Sequence, residues 1–276
     1  MKLIIKLVLI LGLVASCNDN EETVVSPNVD GGVSRNIKVM TFNIFGGFPR
    51  GADRNDINDY GLDNTIKTIK DSNPDIIGLN EIGVNQKAAT NYDDQPKLIA
   101  EALGYYYDFY GLEVSGKYGV ALLSKYPILD IKHVEYEIQG DHLKGLIEAK
   151  IQHPDGDIWV YVTHLESGDA LVRHYEIKEI KRRAAKLGDV PMLVLGDFNF
   201  TPDSDNHTLL TDAESVFIDP LGKSLDPNTF KLSDPKRIDY IMANKYFHFV
   251  NTPWSDTEDR TSDHFPVWAN VCFYLN

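Results

Sequence analysis

The chain has 276 residues, of which 43% are hydrophobic and 25% charged. That composition excludes a wholly disordered, a collagen-like or a multi-span membrane protein. A formal net charge of −14 argues against sequence-independent grip on nucleic acid, which needs a basic footprint, but it suits a metal site built from carboxylates. Two cysteines, Cys17 and Cys272, exclude a disulfide framework. The length fits one large domain or two small ones.

The chain opens with Lys2 and Lys6 ahead of the apolar run Leu7 to Ser16. That run is too short to cross a bilayer, which takes ~20 apolar residues, and it suits the apolar centre of a signal peptide. Val14-Ala-Ser-Cys17 resembles the lipobox of bacterial lipoproteins, which implies a signal peptide over residues 1–17 and lipidation at Cys17. Residues 18–35 carry Asp19, Glu21, Glu22, Asp30, Gly31 and Gly32 without apolar periodicity and read as a flexible acidic tether. As a random coil it would span roughly 20–25 Å, holding a domain clear of a membrane. Acidic residues directly after Cys17 resemble sorting signals of surface-exposed lipoproteins. The expectation is export, with a lipid anchor in the bacterial cell envelope, at the outer membrane and surface-exposed.

From residue 36 to 276 no linker or repeat interrupts the pattern, which predicts one domain. Strands are expected over Ile37–Ile44, Asp75–Glu81, Tyr118–Leu123, Ile131–Ile138, Leu146–Ile151, Ile158–His164, Met192–Leu195, Ile238–Met242 and Phe265–Tyr274. Helices are expected over Leu62–Ile69, stopped by Pro74, over Gln95–Leu103, closed by Gly104, and over Ala170–Leu187, closed by Gly188. Strands outnumber helices about two to one, favouring a sheet-rich α/β sandwich over a doubly wound parallel sheet. Gly-rich phosphate loops are absent.

Several apolar runs end in an acidic, amide or imidazole residue: at Asn43, Glu81, His164 and Asp197 with Asn199. The segments Arg237-Ile-Asp239 and Ser262-Asp263-His264 add two more. Any one of these has a plain structural reading, as a turn, a cap or a half-buried histidine. Six in order, each of a type that phosphate-ester hydrolysis uses, point to polar groups delivered from several strands to one rim.

Those segments, Thr41-Phe-Asn43, Asp75 to Glu81, Gly119 to Pro127, Thr163-His-Leu165, Gly196-Asp-Phe-Asn199, Arg237-Ile-Asp-Tyr240 and Ser262-Asp-His-Phe-Pro266, resemble the endonuclease/exonuclease/phosphatase superfamily, which is deoxyribonuclease I-like. The resemblance implies a four-layer α/β sandwich with two packed, mostly antiparallel mixed sheets and helices on the outer faces. It implies a divalent-metal-dependent phosphoester hydrolase using Mg²⁺ or Mn²⁺, with Glu81, Asn43 and Asp263 at the metal. Asp239 would orient His264. His264 would serve as general base on the attacking water or stabilise the charge of the transition state. Asp197 and Asn199 would position the nucleophile and a non-bridging oxygen, and His164 would donate to the phosphate.

The substrate is left open as a small molecule, a lipid head group or nucleic acid, and the enzyme is expected to be monomeric. Alternatives are an extracellular nuclease, a sphingomyelinase-like phospholipid hydrolase and a non-catalytic lipid-anchored binding module. Against abasic-site repair stands Phe45, where apurinic endonucleases carry an acid. Against the sphingomyelinase reading stand Phe198 and Glu166, where bacterial sphingomyelinases usually carry Leu and Gln. The basic run Lys178, Lys181, Arg182, Arg183 and Lys186 is the best nuclease footprint, although a solvated helix face explains it better. Tyr105 to Tyr110 reads as a core-filling strand more readily than as a stacking platform. Lys117, Lys125 and Lys144 are candidate phosphate neutralisers that spacing does not separate.

Overall fold

A computed structural model describes residues 35–273, apart from 232 and 234. The signal peptide, Cys17, most of the tether and the last three residues lie outside the described residues. Among the described residues no helix is long and apolar enough to cross a membrane.

Twelve strands follow in chain order: β1 (Ile37–Asn43), β2 (Ile76–Gly83), β3 (Tyr106–Leu112), β4 (Tyr118–Ser124), β5 (Ile128–Glu135), β6 (Gly145–Ile151), β7 (Ile158–His164), β8 (Met192–Asp197), β9 (Asp239–Ala243), β10 (Phe247–Phe249), β11 (Trp254–Ser255) and β12 (Val267–Phe273). One sheet has seven strands in the order β10-β12-β1-β2-β4-β3, with β11 added on β12; the other runs β5-β6-β7-β8-β9. Each sheet contains a single parallel pair, β1 with β2 and β7 with β8, and every other pairing is antiparallel. This is the mostly antiparallel mixed sandwich that the family resemblance implies.

Alternation along the strands sorts side chains into layers. Val39 of β1, Ile76 of β2, Val160 and Val162 of β7, Leu193 and Leu195 of β8 and Ile241 of β9 fill the space between the sheets. Met40, Phe42, Ile77 and Leu79 face outward onto the helices Leu62–Ser72 and Gln95–Leu103. Tyr161, Val194 and Tyr240 face outward beneath the helix Ala170–Leu187 through Ile177, Ile180 and Ala184. The sheets approach closely at Gly78, where a Cβ would lie 3.0 Å from Leu195 Cβ and 3.2 Å from Val162 Cγ1.

Some expected boundaries shift. The first helix continues to Ser72 and ends at Asn73, left-handed at φ 45°. The strand expected from Ile131 runs instead over Ile128–Glu135, at the edge of its sheet and largely exposed. A short helix, Asp205–Thr211, has no periodic signal long enough to predict it; Ser204 caps it by accepting from His207 N–H. The Tyr105–Tyr110 segment fills core only in part: Tyr105, Phe109 and Tyr110 pack against it, while Tyr106 and Tyr107 are exposed because β3 has no neighbour beyond β4.

Replacing Gly78 by Val should force the sheets apart and destabilise the domain by about 1–3 kcal/mol. Thermal denaturation should show a fall of several degrees, with secondary structure retained below the transition.

Candidate active site

Several inter-sheet rows of apolar side chains turn polar at one end. Asn43 follows Val39 and Thr41 on the same face of β1, and Asn80 follows Ile76 and Gly78 on β2. His164 ends the row of Val160 and Val162, and Asp197 the row of Leu193 and Leu195. Asp239 begins β9, antiparallel to β8 and opposite Asp197. His264 lies just before β12, which runs antiparallel to β1. Parallel strands thus end, and their antiparallel neighbours begin, at one pole of the sandwich. A cleft of about 630 Å³ opens there, lined among others by Glu81, His164, Asp197, Asn199, Asp263 and His264.

Glu81 reaches the cleft by a different device. Plain alternation would turn it with Ile77 and Leu79 toward the helices. The pairing of β2 with β4 shifts register between Asn80 and Ile82, and Glu81 sits at φ 53°, so the extra residue swings its carboxylate inward. Its Oε1 accepts from Asn43 Nδ2 at 3.0 Å and its Oε2 from the Tyr118 hydroxyl at 2.6 Å. The Arg54 guanidinium lies 3.6 Å from Oε2, bonds the Tyr118 hydroxyl and stacks over Phe45. Burial opposes the charge on Glu81, yet these two hydrogen bonds and Arg54 hold its carboxyl well below the ordinary carboxylate range.

Asp197 Oδ2 is the meeting point of the site. Asn43 Nδ2 donates to it at 3.1 Å, while His164 Nε2 and His264 Nε2 lie 3.5 and 3.6 Å away. Burial and the Asp239 carboxylate push Asp197 up to about 7. His264 Nδ1 is 3.0 Å from Asp239 Oδ2. Burial disfavours a charged His264, but Asp239 and Asp197 on either side outweigh it and hold the imidazolium up to about 10. His164 differs: burial, then the Lys144 charge, keeps it well below the ordinary histidine range, hence neutral.

The Gly-Asp-Phe-Asn segment has a steric explanation. A Cβ on Gly196 would lie 1.9 Å from the Thr163 carbonyl oxygen, so only glycine lets β8 approach β7 there. Phe198 is buried in the outer core, and Asn199, left-handed at φ 51°, donates Nδ2 to Leu165 O. Asn199 N–H donates to Asp197 Oδ1.

The oxygen donors Glu81 and Asp263 fit a hard divalent cation. Among the described residues Asp263 Oδ1 is buried without a hydrogen-bond partner, and burial and the Glu81 charge both raise its carboxyl, so a cation between them would relieve a real repulsion. Asn43 fits less directly, because its Oδ1 already accepts from Phe45 N–H and its amide bridges Glu81 and Asp197. Asp197, Asp239 and His264 also bring ligand atoms within 4.8 Å of one another. There, however, His264 Nδ1 is engaged by Asp239 and its positive charge repels a metal.

Four residues at the site carried no recognisable signal in the sequence. Asn80 ties the sheets together, donating Nδ2 to Thr163 O at 2.7 Å and accepting Asp197 N–H at 3.1 Å. Tyr118 and Arg54 secure Glu81, and Glu176 secures the loop after His164 by accepting Glu166 N–H at 2.9 Å. Other candidates lie elsewhere. Lys125 pairs with Asp75 beyond the far end of β4. In the basic helix run, Lys181 pairs with Asp212, Arg182 with Glu179, and Arg183 with Glu148 and Glu179, so these charges serve the protein's own carboxylates.

The endonuclease/exonuclease/phosphatase family model matches residues 40–264, and the chain belongs to that family, whose members are hydrolases acting on phosphoester bonds. The uncharacterised protein YbhP of Escherichia coli strain K12 is 26% identical over 249 residues, spanning 85% of this chain and 95% of that relative. An endonuclease/exonuclease/phosphatase from Bacteroides vulgatus shares the fold with a TM-score of 0.71 at 22% identity, covering 87% of this chain and 99% of its own. A mannosyl-6-phosphatase of Bacteroides thetaiotaomicron does so with a TM-score of 0.69 at 17% identity, over 86% and 100%.

Asn80→Ala should leave the Thr163 carbonyl and the Asp197 amide unpaired and cost about 1–3 kcal/mol for each buried group, read as a lower urea midpoint. Glu176 supplies a pH prediction. Burial raises its carboxyl to about 7, so the folded state takes up a proton that the unfolded chain, near 4.5, has released. Its contribution to stability therefore falls as pH rises from about 4.5 through 7. Glu176→Gln should raise Tm relative to wild type at pH 8, and the difference should vanish near pH 4.

Proposed function

We propose that the protein is an exported, divalent-metal-dependent phosphoester hydrolase in which water attacks phosphorus. The observation that carries this reading is the convergence of Glu81, Asp197, Asp263 and His264, from three separate segments, on one cleft. Glu81 and Asp263 would hold Mg²⁺ or Mn²⁺, which supplies positive charge against the phosphate oxygens. A volume of about 630 Å³ suits a small-molecule substrate.

Asp197 Oδ2 orients the attacking water and takes its proton as the oxygen–phosphorus bond forms. His264, flanked by Asp239 and Asp197, stays charged and donates Nε2–H to a phosphoryl oxygen, which favours charge stabilisation over the general-base role. His164, neutral, presents a second imidazole edge, and Asn199, locked by Asp197 and Leu165, lines the wall beside it. The departing oxygen is protonated from solvent. Export and anchoring through Cys17 rest on the lipobox-like start of the chain. The paired basic helix face weighs against the nuclease alternative.

Purified protein should hydrolyse a chromogenic phosphoester with Mg²⁺ and lose that activity in EDTA. Asp197→Asn and His264→Ala should each lower kcat by roughly 10²–10⁴-fold, with folding unchanged by circular dichroism. Folded wild type inert on a panel of mono- and diesters would refute the reading.

A further inference from the structure

Lys144 stands first in line before β6, in the cleft wall. Its side chain is 6% exposed, which is rare for an ammonium without a tight set of partners. The described residues give Nζ a single hydrogen-bond acceptor, Glu113 Oε1 at 3.2 Å, and Glu113 divides its charge with His142, which lies 3.0 Å from Oε2. The backbone at Lys144 is held on both sides. Gln139 Oε1 accepts Lys144 N–H at 2.7 Å, and the Lys144 carbonyl accepts from Gln139 Nε2 and Tyr136 N–H. The Tyr136 hydroxyl bonds Thr163 Oγ1, the neighbour of His164, so the segment is fixed to the strand that carries the imidazole.

We infer that Lys144 is a further substrate-binding residue, whose ammonium takes a non-bridging oxygen of the substrate's phosphate beside His164. The inference rests on the phosphoester-hydrolase reading for its substrate class. A chain of formal charge −14 that gathers Glu81, Asp197 and Asp263 at one cleft repels a phosphate, and a fixed cation within the wall offsets that repulsion. Burial first, and the ammonium's charge after it, hold His164 well below the ordinary histidine range, which leaves that imidazole a neutral N–H donor. Of the three lysines that sequence spacing left undivided, Lys125 pairs with Asp75 and Lys117 is not among the cleft-lining residues, whereas Lys144 is. A lysine kept only to balance Glu113 would make no difference to anion binding.

The test measures inorganic phosphate binding by titration calorimetry with Mg²⁺ present, alongside kcat and KM on a chromogenic ester. Lys144→Met should weaken phosphate binding by roughly 10–100-fold, the range for a charge-assisted hydrogen bond, and raise KM more than it lowers kcat. Lys144→Arg should recover part of the loss. Glu113→Gln releases the ammonium from its carboxylate without touching Lys144, and it should tighten phosphate binding several-fold. That variant decides the matter if Lys144→Met fails to fold. Unchanged phosphate affinity in folded Lys144→Met, or unchanged or weaker affinity in Glu113→Gln, overturns the assignment, as does a wild type that binds no phosphate. A wild type that binds phosphate but cleaves no ester removes the hydrolase reading alone, and the variants still decide whether Lys144 holds the anion.

Discussion

Asn80 is where the two halves of the molecule become one site. It ends the inter-sheet row of β2 and is completely buried, and its side-chain amide satisfies a carbonyl of β7 and an amide of β8. A buried amide with both ends paired fixes distance and rotation at once, whereas apolar packing between sheets fixes distance far better than register. The effect passes directly to chemistry, because the amide that Asn80 accepts from belongs to Asp197. With Asn43 donating to both Glu81 and Asp197, two asparagines hold carboxylates from opposite sheets in one arrangement. Gly78, two residues before Asn80, lets the sheets come close enough for these bonds to form.

The electrostatics follow from that proximity. Carboxylates gathered in a buried place disfavour their own ionisation, and each is compensated differently. Glu81 is held charged by hydroxyl, amide and guanidinium groups, while Asp239 is matched with His264. Among the described residues Asp263 Oδ1, like Asp239 Oδ1, has no hydrogen-bond partner, but no histidine stands 3.0 Å from the other oxygen of Asp263 as His264 does at Asp239, which suits a cation there. Two histidines a few ångströms from the same Asp197 oxygen take opposite protonation states, because carboxylates on both sides of His264 outweigh its burial, whereas at His164 burial prevails and the Lys144 charge adds to it. Separating two like groups by environment gives a site distinct donors from one residue type.

Much of this was readable from residue order. Strand alternation places Asn43, His164 and Asp197 on the inter-sheet face, since each stands an even number of residues from apolar neighbours that fill that space. The helix Ala170–Leu187 and its Gly188 stop were equally plain. Glu81 was found by pattern but lies on the wrong face by parity. Its bulge depends on the pairing of β2 with β4, and no local residue announces it. The exposed tyrosines of β3 fill no core because strand order, which sequence does not contain, left that strand at an edge.

By itself, the amino-acid sequence determined the layered class of fold, the strands that end in reactive side chains and the family to which the chain belongs. Those depend on short-range periodicity and local motifs, which survive in a linear reading. Tertiary structure alone decided which lysine enters the cleft, that Asn80, Arg54 and Tyr118 support the carboxylates, and that His264 and His164 differ in charge. Each of those outcomes depends on contacts between residues far apart in the chain, 83 positions for Asn80 and Thr163, and on burial, which sets the strength of every charge and hydrogen bond among them.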